Sequence, residues 1–143
     1  MMNKVLLKPE KENVEPAQRN ALFRTMFKFK GKFCKMVIDS GSTDNFVSIE
    51  MVEKLSLKNI KNPVPYKVSW LDKGHQILVS EQCEIYLQIG TYKDKIICDI
   101  MPMDVFHILL GRPWQFDKKV VHDGRRNCYS FEKDGMKHVL LPM

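Results

Sequence analysis

From Thr25 to Ile38 apolar and polar positions alternate with period two, and that alternation predicts strands. Between Thr25 and Ile38, Phe27 and Phe29 alternate with Lys28 and Lys30, and the pattern resumes after Gly31. This segment reads as a β-hairpin turning at Lys30-Gly31. The turn-rich loop Asp39-Ser40-Gly41-Ser42-Thr43-Asp44-Asn45 follows. From Ser48 to Leu55, Ile49, Val52 and Leu55 recur every third residue and predict a short helix, and Pro63 and Pro65 end any helical pattern beyond it. Val64–Trp70 and Ile77–Ser80 flank a polar tip, Asp72-Lys73-Gly74-His75, as the arms of a projecting hairpin. Cys83–Ile89 and Lys95–Met101 form a further strand pair around Gly90. His107–Gly111 reads as a buried apolar strand ending in glycine, and Pro113 suits the first turn of a helix over Pro113–Phe116. Tyr129–Phe131 and His138–Leu141 close the chain around an Asp134-Gly135 turn. The expected fold is mostly β with one or two short helices. Residues 1–20 lack an apolar period and read as a flexible leader or linker, which leaves 21–143 as one domain.

Length and composition narrow this picture. A chain of 143 residues with 44% hydrophobic and 28% charged residues fits one globular domain with its own core. No apolar stretch approaches the ~20 residues of a membrane helix, and Val5-Leu6-Leu7 is far short of a signal-peptide core. The charge balance, 23 − 17 = +6, is too modest to indicate nucleic acid by itself. The lysines of the first hairpin read as a solvated strand face. Cys34, Cys83, Cys98 and Cys128 are widely spaced with no C-x-x-C pair, and the four histidines show no i, i+4 pairing, so neither a zinc site nor any other cofactor is expected. The cysteines read as reduced core thiols of a cytoplasmic protein.

One loop carries candidate chemistry. Asp39-Ser40-Gly41-Ser42 leaves the apolar strand Met36-Val37-Ile38 directly, which puts a carboxylate at the boundary between core and cleft. Serine can hydrogen-bond such a loop, and glycine permits its tight backbone. Alone, a D-S-G is an ordinary turn. A second segment, Ile108-Leu109-Leu110-Gly111-Arg112, changes the odds.

An Asp-Thr/Ser-Gly after an apolar strand, paired with a later apolar-apolar-Gly-Arg segment, resembles the retropepsin-like aspartic proteases. The likeness is closest to the protease domain of plant Ty3/gypsy-type retrotransposon polyproteins. It is carried by Leu22–Thr25, Val37–Ser48, Pro65-Tyr66 with Trp70, and His107–Asp117, and is extended by His122-Asp123-Gly124 and Tyr129-Ser130-Phe131. The resemblance implies a closed acid-protease barrel of six to seven strands. Asp39 would be its catalytic residue, and Ser40, Gly41 and Ser42 its active-site loop. A flap would close over the cleft at Trp70, Leu71, Asp72, Lys73, Gly74, His75 and Gln76. Leu110, Gly111, Arg112 and Asp44 would support the site from beneath.

Aspartic proteolysis needs two facing carboxylates, one ionised as general base and one protonated to polarise the scissile carbonyl. This chain holds one such motif, so a homodimer that sets Asp39 against its symmetry mate is expected. The substrate implied is a Gag-Pol-like polyprotein. The Ser42 hydroxyl, as a donor beside the dyad, is expected to favour the charged form and lower its apparent pKa values.

Three features depart from the retroviral pattern. The flap carries Gly74 alone. Thr43 stands where the retroviral enzymes have an acid that pairs with the later arginine, with Asp44 one residue further on as its substitute opposite Arg112. The C-terminal hairpin Tyr129–Leu141 extends past the usual end. Two other readings compete: an inert retropepsin-like interaction or dimerisation module, and a nucleic-acid binder built on the +6 charge and the stretch of Phe27, Lys28, Phe29, Lys30 and Lys32.

Overall fold

The computed structural model describes residues 4–6, 22–70 and 76–143. Strands β2 (Phe23–Phe29) and β3 (Lys32–Ile38) pair antiparallel from Phe23↔Ile38 to Phe29↔Lys32. Their turn places Lys30 at φ 49° and Gly31 at φ 78°, the double left-handed geometry that matches hairpin twist. Phe27 and Phe29 point into the core while Lys28 and Lys30 face solvent, as the alternation requires. The phenylalanines of the nucleic-acid reading are therefore core residues.

β4 (Phe46–Ser48) runs directly into α1 (Ile49–Lys54). Ser48 caps this helix by accepting from the Met51 N–H at 3.1 Å. β5 (Ile60–Trp70) tolerates Pro63 and Pro65 because the ladder shifts register between Lys61 and Tyr66, so neither proline has to donate. β6 (Gln76–Ile89) is one long strand where the pattern showed two. Its first half pairs with β5 and its second half with β7 (Tyr92–Met101). Gln82 marks the handover, facing Ile60 on one side and Asp99 on the other.

β8 (Ile108–Leu110) lies parallel to β3 and antiparallel to β4. It is buried throughout, as befits a strand covered on both faces. The pairings β6–β2–β3–β8–β4–β7–β6 close a ring of six strands, with β5 extending off β6. The fold is thus the all-β closed barrel expected, with two short helices among the described residues, the second being α2 (Arg112–Asp117) with Pro113 in its first turn.

Two differences concern the ends. β1 (Lys4–Leu6) pairs in parallel with Val68–Trp70, so this part of the expected leader is a strand that covers the outer edge of β5. At the other end β9 (Val121–Asp123), absent from the sequence reading, joins β10 (Cys128–Lys133) and β11 (Met136–Leu140) in a three-stranded sheet. β9 is exposed along its whole length and has no apolar alternation to reveal it. β10 packs this sheet onto the barrel through Tyr129 against Phe23 and Phe131 against Tyr92, with ring centroids 5.0 and 4.7 Å apart.

The main core gathers Phe23, Phe27, Met36, Ile38, Ile85 and Trp114. A second cluster, including Phe46, Tyr66, Val68, Val79 and Leu109, fills the space between the β5–β6 arms and the barrel. All four cysteines are buried free thiols. Burial pushes the thiols of Cys34, Cys83 and Cys98 up, away from the reactive thiolate.

Candidate active site

Asp39 stands where β3 leaves the core, half-buried between the apolar strand and an exposed turn. Its backbone N–H donates to the Leu110 carbonyl at 3.0 Å, which extends the β3–β8 ladder by one bond and fixes the carboxylate at the barrel end. The chain then turns sharply: the Ser42 N–H donates back to the Asp39 carbonyl at 3.1 Å. The Gly41 N–H donates to Asp39 Oδ1 at 2.8 Å, which orients one carboxylate oxygen from the loop itself.

Beneath the loop, Gly111 lets two backbones approach closely. Its N–H donates to Asn45 Oδ1 at 2.9 Å, and the next N–H, of Arg112, donates to the Ser42 carbonyl at 2.8 Å. Leu110 and Arg112 therefore brace the Asp39 loop through main-chain bonds, while Gly111 holds it through the Asn45 side chain and, lacking a Cβ, allows the close approach.

Ser42 is buried, and its hydroxyl donates to the Asp44 carbonyl at 2.8 Å. A hydroxyl has one proton. The expectation that Ser42 donates to the carboxylate of Asp39 is thereby corrected: within the chain that proton closes the loop. The substitution of Asp44 for the missing acid opposite Arg112 also fails. The Arg112 side chain is exposed and forms no ion pair among the described residues. Asp44 instead faces Tyr66.

Tyr66 belongs to a buried polar cluster that joins the loop to the β5–β6 arms. Its hydroxyl donates to Asp99, which also accepts from Asn62 Nδ2 at 3.2 Å and Gln82 Nε2 at 3.0 Å. The Asp99 N–H donates to the Asn45 carbonyl at 2.8 Å. Burial, and then the Asp99 and Asp44 carboxylates, push the Tyr66 phenol far above its ordinary range, so it stays a donor.

Two further residues touch the loop, and the sequence reading gave neither a role in the site. Ser40 Oγ donates to Gln115 Oε1 of α2 at 3.1 Å. Tyr129 lies buried close to Ser40 and Asp39; burial raises its phenol, the Ser40 contact opposes the rise and the Asp39 charge adds to it. The sequence reading named Tyr129-Ser130-Phe131 as a strand and as part of the resemblance, but nothing in it brought Tyr129 to the Asp39 loop.

Asp39 has no second carboxylate against it among the described residues. Trp70 ends β5, and the arms pair as far as Ser69↔Gln76. The flap residues Leu71, Asp72, Lys73, Gly74 and His75 lie outside the described residues. Among the described residues no group of three or more His, Cys, Asp or Glu is placed to hold a metal ion.

The family described as PEG10/RTL1 protease domain matches residues 35–126. The crystal structure of the retroviral protease-like domain of Ddi1 from Leishmania major superposes with a TM-score of 0.58 at 11% identity, covering 85% of this chain and 94% of that one. No curated protein matches the chain.

Proposed function

Because the chain belongs to the PEG10/RTL1 protease domain family, we propose that it is an aspartic endopeptidase that acts as a homodimer. The retropepsin-like fold is shared with the Ddi1 domain. The observation that carries it is the Asp39 loop. A half-exposed carboxylate at a barrel end, oriented by the Gly41 N–H at 2.8 Å and braced from below by Gly111, is built to meet a ligand.

In the dimer, Asp39 of one copy stands against Asp39 of the other. At ~3 Å, two carboxylate charges repel by about 5 kcal/mol at an effective dielectric of ~20. That is roughly four pKa units. The pair therefore keeps one proton over a wide pH range, and its two apparent pKa values belong to the dyad. The ionised member takes a proton from water as it attacks the scissile carbonyl, while the protonated member donates to the carbonyl oxygen.

The substrate we assign is an extended polypeptide cut between apolar residues. For a protease of the plant Ty3/gypsy type, it would be the element's own Gag-Pol-like polyprotein. Four buried free thiols suit action in a reducing compartment such as the cytoplasm.

The test is a peptide-library cleavage assay of wild type and Asp39→Asn across pH and protein concentration. The expected result is activity that rises more steeply than linearly with concentration and vanishes in Asp39→Asn. Full cleavage by Asp39→Asn would remove the assignment, and constant specific activity in a strictly monomeric protein would remove the dimer.

A further inference from the structure

The outer face of the barrel, away from Asp39, carries an open groove of about 630 Å³ edged by Lys28, Lys30, Lys93, Lys95 and Lys133, with Tyr86 in its wall. The one acid in its lining, Asp94, is already neutralised, paired with Lys118 at 2.5 Å and accepting from Tyr92 at 2.7 Å. Lys28, Lys93 and Lys95 have no carboxylate partner among the described residues. Lys133 pairs with Asp134 at 3.5 Å and the Tyr86 hydroxyl donates to Glu84 at 3.4 Å, so the uncompensated positive charge of the groove is that of Lys28, Lys93 and Lys95.

Register adds an order to this charge. Phe33 lies opposite Lys28, Lys28 opposite Gln88 and Gln88 opposite Lys93, so four strands contribute one continuous row. Two residues along β6, Tyr86 lies opposite Lys95. Phe33 and Tyr86 are 68% and 57% exposed, which no core or cap role explains. From strand and residue spacing they stand roughly 12 Å apart on one face. Each has an ammonium over its ring, Lys28 at 5.6 Å from the Phe33 centroid and Lys95 at 5.6 Å from that of Tyr86.

We propose that this face binds single-stranded nucleic acid, with bases stacked on Phe33 and Tyr86 and the backbone tracked by Lys28, Lys93 and Lys95. An ammonium over an exposed ring is held weakly. A base stacks on the same ring more strongly, and its phosphate then draws the displaced ammonium. Gln88, between the two rings, offers both an amide donor and an acceptor to a base edge. An acidic peptide would use the lysines but leave the two aromatics idle. A duplex hides its base faces and would do the same. The proposal stands apart from proteolysis, since Asp39 takes no part in it.

The experiment is fluorescence anisotropy of a labelled oligouridylate titrated with the full chain carrying Asp39→Asn, which prevents self-cleavage. Duplex RNA and polyglutamate serve as competitors, and thermal melts check the fold of each variant. Binding is expected to weaken about tenfold in Phe33→Ala and in Tyr86→Ala. Lys93→Gln and Lys95→Gln should each reduce the slope of log affinity against log salt by about 0.7. Polyglutamate or duplex competing as well as the single strand, affinity unchanged by both aromatic substitutions, or no binding at low salt would each overturn the proposal.

Discussion

A Cβ placed on Gly111 would stand 2.3 Å from the Asp44 carbonyl oxygen and 2.7 Å from that of Ser42. Both neighbours are backbone, so no side chain can swing away. The close approach is what allows the Gly111 and Arg112 N–H groups to reach Asn45 and Ser42. Gly111→Ala is expected to destabilise the domain by about 3 kcal/mol, which is roughly 10 °C in Tm for a domain of this size. Cleavage should fall further than the folded fraction does, because the displaced segment is the one holding Asp39. Melting curves beside single-substrate kinetics check both; a Tm within about 2 °C of wild type would refute the contact argument.

Tyr66 and Asp99 supply the second prediction. Tyr66→Phe keeps the ring in the second core cluster and removes only the hydroxyl that Asp99 accepts from. A hydrogen bond to a buried charged group contributes about 1.5–3 kcal/mol, so a loss of that order is expected. The measurement is a double-mutant cycle with Asp99→Asn, in which the two losses should be strongly non-additive. Additive losses would mean that the phenol and the carboxylate act separately.

Ser42 supplies the third. Its proton is committed to the Asp44 carbonyl at 2.8 Å. Ser42→Ala should therefore cost about 1 kcal/mol of stability and lower kcat through a loosened loop, while leaving the acid limb of the pH–rate profile where it is. Ser42→Thr, which keeps the hydroxyl, should restore most of the loss. A limb that moves upward in Ser42→Ala would show instead that the hydroxyl reaches the dyad.

These residues show which parts of the molecule a linear pattern can reveal. The Lys30-Gly31 turn, the β3 exit into Asp39, the Ser48-capped helix and the β8 segment were legible because each rests on local periodicity or turn chemistry. Asp39 and Gly111 became a site through the spacing of two motifs within a family resemblance. The Tyr66–Asp99 cluster was not legible: Asn62, Tyr66, Gln82 and Asp99 lie on three different strands and meet only when β6 hands over from β5 to β7. β1 was missed for a similar reason, since three residues become a strand only beside the open edge of β5. The Ser42 expectation failed because a hydroxyl near a carboxylate in sequence has several acceptors within reach, and the loop backbone takes the proton.

The fourth prediction concerns pH. His107 sits at the entry of β8, at the opposite end of the β3–β8 pair from the Asp39–Leu110 bond. Its Nδ1 accepts the Lys35 N–H at 2.9 Å, and the His107 backbone N–H donates to the Lys35 carbonyl at 3.0 Å. An imidazolium has no acceptor nitrogen, so protonation breaks the first of these bonds. Burial lowers the His107 pKa; Glu50 opposes this, and Lys35 and Lys54 add to it. With a folded value below the ordinary ~6.5, the contribution of His107 is fully present above about pH 6.5. It is lost as pH falls through the lower folded value, because the unfolded chain takes up the proton first. His107→Asn keeps an acceptor near the Nδ1 position without a titrating ring. Wild-type Tm should fall more steeply than that of His107→Asn between pH 7 and pH 5, and the two proteins should run parallel above pH 7. Equal slopes over the acid window would show that the ring does not titrate there.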